Sequence, residues 1–178
     1  TASVSLTGTV SKVYDGTNVA TLAAGNFLVT GGIDGDVLSI AGGAAGTYDT
    51  RHAGTGKTVS TSGITVSALD GAVPVFGYGL AGSSVSGTVG EITAAPLTVS
   101  TADVNKTYNA TLAAPGALAV ATAGTLFGGD TLSGGSFAFT DPNVGTGKTV
   151  TVSGVSVNAA HRGLNHLLTH AANTNRNI

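Results

Sequence analysis

The sequence contains the pentapeptide Gly-Thr-Gly-Lys-Thr twice, at residues 54–58 and 145–149. A glycine followed by lysine and threonine ends the phosphate-binding loop, whose full pattern also requires an earlier glycine. That earlier position holds Arg51 in the first copy and Pro142 in the second. The residues after each threonine alternate between apolar and hydroxyl types, which predicts a strand, whereas a phosphate-binding loop leads into a helix. We therefore predict that both pentapeptides are glycine turns entering strands and that neither binds a nucleotide.

Two carboxylates stand close together in the stretch GIDGDV, at Asp34 and Asp36. They could supply oxygen ligands to calcium, but calcium takes about six to eight oxygens, and no EF-hand spacing supplies the others. The second copy of this stretch keeps only Asp130. We predict a turn before a strand and no cofactor, with calcium at Asp34 and Asp36 as the alternative.

Three histidines lie near the end of the sequence, at His161, His166 and His170. The last two have the spacing of a zinc-binding pair on one helix face, but they lack the intervening glutamate of the usual motif. We predict exposed histidines without a metal.

No set of residues suggests catalysis. The nine acidic residues include a single glutamate, Glu91, and no serine or threonine stands beside a histidine in a nucleophile elbow. We predict that the protein is not an enzyme.

Four lysines recur between the two halves of the chain: Lys12, Lys57, Lys106 and Lys148. They raise the question of lysine–asparagine cross-links, against the alternative that each lies along a strand edge, where it blocks edge pairing.

Tyrosines are the candidates for ligand stacking, because the chain has no tryptophan. Tyr14 and Tyr108 occupy equivalent positions of a repeat, so we predict structural roles for both. Tyr48 is a further candidate. Tyr78 has no clear counterpart in the second half, which makes it the best prediction for a ligand-binding residue.

The composition describes the elements that must carry these residues. Charged residues make up only 9% of the 178-residue chain, and 28 glycines accompany abundant Ala, Val, Ser and Thr. Short β-branched and hydroxyl side chains suit strands, and glycines suit turns, so we predict an all-β protein. The net charge is −2 with scattered basic residues, which argues against nucleic acid as a partner. No apolar run is long enough to span a bilayer, and the absence of cysteine excludes disulfides and thiolate sites.

An internal repeat organises the chain. Residues 54–68 align with residues 145–159 without a gap, and 12–24 align with 106–114 after one gap. This alignment places Tyr48 opposite Phe139. Pro96 fits a linker or the first position of a strand, so we predict two modules at residues 1–95 and 96–178.

Alternation of apolar and polar residues predicts the strands of each module. In residues 148–157 the valines alternate with threonine and serine and are interrupted at Gly154, which predicts a half-buried strand with a glycine bulge or turn. The same alternation predicts strands at residues 35–43, 97–100 and 130–139. Residues 161–173 differ, because Leu164, Leu167, Leu168, Ala171 and Ala172 recur at helical spacing in β-rich surroundings. The structure of this segment stays open.

The ordered motifs resemble the YDG-type repeat of large secreted bacterial exoproteins, which include filamentous-haemagglutinin-like adhesins and biofilm surface proteins. The first module supplies KVYDGT at residues 12–17 and AGTGKTVSTSGITVSA at 53–68. The second supplies DPNVGTGKTVTVSGVSV at 141–157. Two departures stand out: Tyr108-Asn109-Ala110 replaces Tyr-Asp-Gly, and HRGLNHLLTH replaces the acidic segment that usually precedes the last strand.

This resemblance implies small β-grasp-like or sandwich-like modules, arranged in tandem as an elongated, monomeric stalk that small-angle scattering would detect. It implies an extracellular location at the bacterial cell surface and a structural function in adhesion or biofilm formation. The implied partners are neighbouring repeats of the same polypeptide, with surface glycans or matrix components as ligands if the segment instead binds.

Overall fold

The computed structural model describes residues 1–159 and 164–178 and is built mainly from β-strands, which confirms the predicted fold class. The chain divides into two compact units, Thr1–Thr93 and Ala94–Ile178. The prediction had placed this division after residue 95. Within the described ranges, no helix has the length and apolar character that a bilayer crossing demands.

Unit 1 contains a five-stranded, a three-stranded and a two-stranded sheet, with strand orders β2-β10-β7-β6-β3, β5-β8-β9 and β1-β4. A short 3₁₀ turn at Ala24–Asn26 precedes β4. The strands are β1 Ser3–Leu6, β2 Val10–Val13, β3 Val19–Thr21, β4 Phe27–Thr30, β5 Val37–Ala41, β6 Ala45–Tyr48, β7 Gly54–Ser62, β8 Thr65–Asp70, β9 Val73–Val75 and β10 Ser84–Thr93.

Unit 2 contains two three-stranded sheets, with strand orders β12-β11-β15 and β13-β14-β16. The strands are β11 Ala95–Thr101, β12 Ala119–Ala123, β13 Thr131–Phe139, β14 Lys148–Asn158, β15 His166–His170 and β16 Asn173–Arg176.

Strand β14 confirms the strand predicted from its alternating valines. Val150 and Val152 are buried before Gly154, and Val155 and Val157 are buried after it, so the inward-facing parity changes at this glycine. Gly154 has a φ of +65°, a conformation that glycine adopts without steric cost. In unit 1 the equivalent Gly63, at φ +74°, lies between β7 and β8.

Each unit has buried apolar side chains of its own. Those of unit 1 include Val10, Tyr14, Leu22, Tyr48, Val59, Ile64 and Ile92. Those of unit 2 form two clusters: Leu97, Val99, Val152, Val155 and Val157 in one, and Val104, Ala114, Phe139 and Val150 in the other. The burial of Tyr48 and Phe139 at equivalent positions agrees with the alignment of the repeat.

The segment whose structure the sequence left open forms strands in its described part. β15 pairs in parallel with β11, from Ala95 opposite His166 to Val99 opposite His170. β16 pairs with β14. The helical spacing of the leucines is overridden because this segment completes two sheet edges. Residues 160–163, including His161, lie outside the described residues.

Candidate functional site

Lys12 closes the Tyr-Asp-Gly turn of unit 1. Its ammonium donates hydrogen bonds to Asp15 Oδ1 at 2.7 Å and to the carbonyl and hydroxyl oxygens of Thr17, each at 2.9 Å. Asp15 Oδ1 also accepts from the backbone N–H of Thr17 at 2.9 Å and from its hydroxyl at 2.8 Å. The ammonium lies 5.7 Å from the ring centroid of buried Tyr48. We call this arrangement the lysine-closed turn.

The lysine-closed turn recurs in unit 2 despite its different sequence. Lys106 donates to Asn109 Oδ1 at 2.9 Å, to the carbonyl of Thr111 and to the carbonyl of Ala113 at 3.1 Å. Asn109 Oδ1 accepts from the Thr111 hydroxyl at 2.8 Å, and Lys106 lies 5.3 Å from the ring centroid of Phe139. The turn therefore belongs to the module and not to one copy.

The charge of Asp15 depends on its contacts in the turn. Burial by itself would raise the pKa of Asp15, but the hydrogen bonds from Lys12 and Thr17, together with the positive charge of Lys12, hold this pKa below its usual range. The carboxylate of Asp15 is thus ionised at neutral pH.

These contacts bear on the question of lysine–asparagine cross-links. A lysine attacks an amide only as a neutral amine, whereas an ammonium is a donor of three hydrogen bonds. Lys106 donates to several acceptors at once, including two backbone carbonyls. Attack on Asn109 would break these hydrogen bonds, so we expect no covalent bond between Lys106 and Asn109.

The second Gly-Thr-Gly-Lys-Thr segment leads into β14, as predicted, whereas the first lies wholly within β7 and is not a turn before a strand. Lys57 is buried at the start of β7, where it donates to Thr50 Oγ1 at 2.6 Å and lies 3.4 Å from Asp49. Lys148, at the start of β14, forms an ion pair with Asp141. Both lysines thus contact acceptors of their own unit. The helix N-terminus that a phosphate-binding loop requires is replaced by a strand.

The prediction of exposed histidines holds for His170, fails for His166 and is not tested for His161, which lies outside the described residues. His166 is buried, with Nε2 2.9 Å from Asp130 Oδ2, so the prediction that it is exposed was wrong. His170 accepts a hydrogen bond from the backbone N–H of Val155 at 3.2 Å. On a strand, residues four apart lie roughly 13 Å from each other, too far for one zinc ion. Among the described residues, no group of three potential ligands is placed to hold a metal ion.

Equivalent tyrosines have different surroundings. Tyr14 is buried, whereas Tyr108 is 55% exposed, so the structural role predicted for both agrees with the burial of Tyr14 alone. Tyr48 donates a hydrogen bond to the carbonyl of Val10 at 2.9 Å. At the equivalent position of Tyr48, unit 2 has Phe139, which has no hydroxyl group.

Tyr78 and Asp36, both singled out from the sequence, are brought together. The Tyr78 hydroxyl donates to Asp36 Oδ2 at 2.7 Å and accepts from the backbone N–H of Ile33 at 2.8 Å. The hydrogen bond to Asp36 raises the pKa of Tyr78, and the negative charges of Asp36 and Asp34 add to this effect. The hydroxyl therefore remains a protonated donor at neutral pH.

Asp34 is explained by the shape of its turn. Asp34 and Gly35 have φ values of +56° and +89°, and the Asp36 N–H donates to the Ile33 carbonyl at 3.0 Å. Two consecutive positive φ values are typical of a type I′ turn, in which aspartate followed by glycine is favoured. This agrees with the turn predicted before β5 and directs the Asp36 side chain toward Tyr78.

A cavity of about 290 Å³ opens beside this pair. Its lining includes Ile33, Asp36, Val75, Phe76 and Tyr78. The Phe76 side chain is 91% exposed and Ile33 is 62% exposed, so the cavity has a large apolar rim. The sequence-based prediction missed Phe76. An isolated aromatic residue after a three-residue strand carries no periodic signal, although the glycine that follows it directly, Gly77, could have marked it.

The aspartate of the Asp36–Tyr78 pair has a buried counterpart in unit 2. Asp130, which aligns with Asp36, contacts His166 from the strand that runs parallel to β11. Tyr78 precedes Leu80, which forms the corresponding parallel bridge to Ala2 in unit 1. His166 and Tyr78 thus each contact the aligned aspartate of their unit, but the Asp130–His166 pair is almost completely buried, whereas the Asp36–Tyr78 pair borders a cavity.

The sequence model of the YDG domain matches residues 1–72, which lie in unit 1, and residues 93–174, which lie in unit 2 except for Thr93. Neither a curated protein nor a solved structure matches the chain.

Proposed function

Because this chain belongs to the YDG domain family, we propose that it is a structural repeat segment of a secreted bacterial cell-surface adhesin, supporting adhesion or biofilm formation. In this role the segment is a spacer outside the cell and not an enzyme. Its partners are neighbouring repeats of the same polypeptide.

The repetition of a complete module carries the proposal. Each unit buries its own apolar side chains and has its own lysine-closed turn. Repeats of this kind can be multiplied along a chain because the stability of each depends mainly on itself and its neighbours. Such independence is what a spacer requires, whereas an enzyme requires groups that converge on one reacting centre.

The internal use of the lysines further supports a spacer. Lys12, Lys57, Lys106 and Lys148 all contact acceptors within their own unit. Few cations therefore remain to attract nucleic acid or another polyanion. The surface is instead rich in Ser and Thr hydroxyls, which keep a protein with few charged residues hydrated.

A replacement experiment in the source organism tests the proposal. The coding region for residues 1–178 is deleted, or is replaced by two unrelated β-modules of similar length, and adhesion and biofilm mass are measured. The spacer function predicts that deletion weakens adhesion and that the unrelated modules restore it. Impermeant labelling of intact cells should also modify this segment.

Two results would contradict the proposal. Failure of the unrelated modules to restore adhesion would show that specific residues of this segment bind a partner. Labelling of the segment only after cell lysis would place it inside the cell.

A further inference from the structure

We propose that the cavity between Asp36 and Phe76 in unit 1 binds an amino sugar, with its pyranose ring against Phe76 and its ammonium group against Asp36. This binding role is separate from the spacer function, because it depends on an arrangement of Asp36, Phe76 and Tyr78 that has no counterpart among the described residues of unit 2. The inference rests on the shape, the apolar rim and the uncompensated charge of the cavity.

The cavity combines one aromatic ring with one oriented carboxylate. Small-ligand sites are concave and mostly apolar, with a few polar groups that set orientation. Phe76 is 91% exposed, which leaves a ring face for the C–H groups of a sugar or for a cation. Asp36 is held by the Tyr78 hydroxyl at 2.7 Å, and Tyr78 is itself held by the Ile33 N–H at 2.8 Å. The carboxylate is therefore positioned before a ligand arrives.

The charge of the cavity favours a cationic ligand. Neither Asp34 nor Asp36 forms an ion pair with any described residue, and Asp70 at the end of the adjacent strand β8 forms none either. Unit 1 has three basic residues, and two of them are engaged elsewhere, Lys12 with Asp15 and Lys57 with Asp49. Lysine pairing thus leaves this end of unit 1 with a negative potential, which attracts an ammonium group and repels an acidic sugar.

Comparison of the two units separates the site from the framework. The aligned Asp130 of unit 2 is closed off by His166, with a separation of 2.9 Å and almost no exposed surface. A buried pair such as Asp130–His166 is therefore sufficient to hold the strand that runs parallel to β11. In unit 1 the equivalent pair stays half-buried beside a cavity of about 290 Å³, which suits one monosaccharide residue.

Strand addition is a weaker explanation of the exposed Phe76. The neighbouring edge strand β9 is only three residues long and contains Pro74. Proline lacks the backbone N–H that a paired strand would use, and it is a common means of blocking sheet edges. The exposed apolar side chains at this end thus fit a small ligand better than a second strand.

A titration with three sugars of the same ring tests the proposal. Nuclear magnetic resonance spectra of the full 178-residue chain are recorded with glucosamine, N-acetylglucosamine and glucuronate. The amino terminus is acetylated so that Thr1, which also borders the cavity, contributes no charge. Glucosamine should shift the resonances of Ile33, Asp36, Phe76 and Tyr78 with a dissociation constant on the order of 1 mM, as expected for so small a ligand. The other two sugars should bind at least about tenfold more weakly, because each lacks the positive charge.

Variants distinguish the site from general effects on folding. Asp36→Asn keeps an acceptor for Tyr78 but removes the charge, and Phe76→Leu keeps an apolar side chain but removes the ring. Each should weaken glucosamine binding about tenfold or more. Leu118→Ala, at another exposed apolar side chain, is the control and should leave binding unchanged.

Three outcomes would overturn the proposal. They are the absence of shifts at Ile33, Asp36, Phe76 and Tyr78, equal binding of all three sugars, and tighter binding of Nα-acetyl-lysine amide, which keeps the side-chain ammonium, than of glucosamine. The last result would assign the cavity to a protein side chain instead of a sugar.

Discussion

Lys12 lies over the ring of Tyr48, 5.7 Å from its centroid, while it closes the turn that contains Asp15. Lys106 repeats this relationship over Phe139 at 5.3 Å. The lysine joins a surface turn to a buried aromatic ring in both units. Each copy of the turn therefore supplies a matched control for substitutions in the other.

Replacing Lys12 with methionine should destabilise unit 1 by about 1–3 kcal/mol. The substitution keeps the apolar stem but removes hydrogen bonds to Asp15 and Thr17 and the cation over Tyr48. Hydrogen exchange of the amides of β2 and β10, measured by mass spectrometry, reports the loss.

Lys106→Met should likewise destabilise unit 2 and increase the hydrogen exchange of β13 and β14. Arg51→Met serves as the control, because Arg51 forms no ion pair with a described residue. Equal effects of Lys12→Met and Arg51→Met would argue against the lysine-closed turn.

Exchanging glycine and alanine between the two turns should change stability in opposite directions. Ala110 has a φ of +60° and Gly16 a φ of +78°, so an alanine stands where the backbone favours glycine. Ala110→Gly should stabilise unit 2 by up to about 1 kcal/mol, after allowance for the greater freedom of glycine in the unfolded chain. Gly16→Ala should destabilise unit 1 by about 1–2 kcal/mol. Urea unfolding followed by hydrogen exchange of each unit measures both changes, and a loss of stability in Ala110→Gly would contradict the expected strain.

Acid should weaken unit 1 through Asp15. Its pKa is lower in the folded than in the unfolded chain, so its contribution is complete above the unfolded value of about 3.9 and is lost as the pH falls through the folded value. Asp15→Asn removes this contribution, and unit 1 should then lose less stability between about pH 5 and pH 2. The side chain of Asp15 is 48% exposed, which keeps the effect small. Thermal unfolding across this pH range checks it, with Asp70→Asn as the control; the same acid slope in both variants would exclude Asp15 as the cause.

A methyl group at Gly90 should be poorly tolerated. An added Cβ would lie 2.9 Å from the Lys57 carbonyl oxygen and 2.9 Å from two ring atoms of Tyr48. Gly90→Ala should therefore destabilise unit 1 by about 1–3 kcal/mol through overpacking. Gly82→Ala is the matched control, since no atom lies within 4 Å of an added Cβ there. The midpoints of urea unfolding compare the two; a harmless Gly90→Ala would show that β10 and Tyr48 can separate easily.

The intact chain should have the mass of its unmodified sequence. Formation of a Lys106–Asn109 cross-link would release one molecule of ammonia. The hydrogen bonds that Lys106 donates oppose this reaction because forming the cross-link would break them. Intact mass spectrometry of the folded protein decides the question, and a deficit of one ammonia that disappears in Lys106→Met would reverse our expectation.

The parts of the fold that have a clear local sequence pattern were predicted correctly. The alternating valines of β14 and the repeated motifs identified strands and a duplication, because burial of one sheet face imposes a period of two. The leucines near β15 mimic helical spacing, yet their segment is a strand, because pairing with β11 is a long-range contact that leaves no local signature.

The candidate site was predictable only in part. Tyr78 was singled out because the second half of the chain has no clear counterpart of it, and Asp36 because a second carboxylate, Asp34, lies two residues before it. Their hydrogen bond joins residues 42 positions apart, and only the folded arrangement of the β5-β8-β9 sheet brings them together. The opposite environments of Tyr14 and Tyr108 likewise depend on which strands cover them.

The exchange of Gly90 for Arg176 bears on how tandem copies fold without confusion. These residues occupy equivalent places, opposite Lys57 in unit 1 and opposite Lys148 in unit 2. Gly90 lies against the Tyr48 ring, whereas the buried Arg176 guanidinium contacts Asp103 and donates to the Thr101 carbonyl at 2.9 Å. Adjacent copies of one domain are prone to swapping strands during synthesis. Here a misplaced β16 would bring an arginine against the Tyr48 ring, and a misplaced β10 would leave empty the space that Arg176 fills. We therefore expect this one difference to oppose the exchange of last strands between the two units.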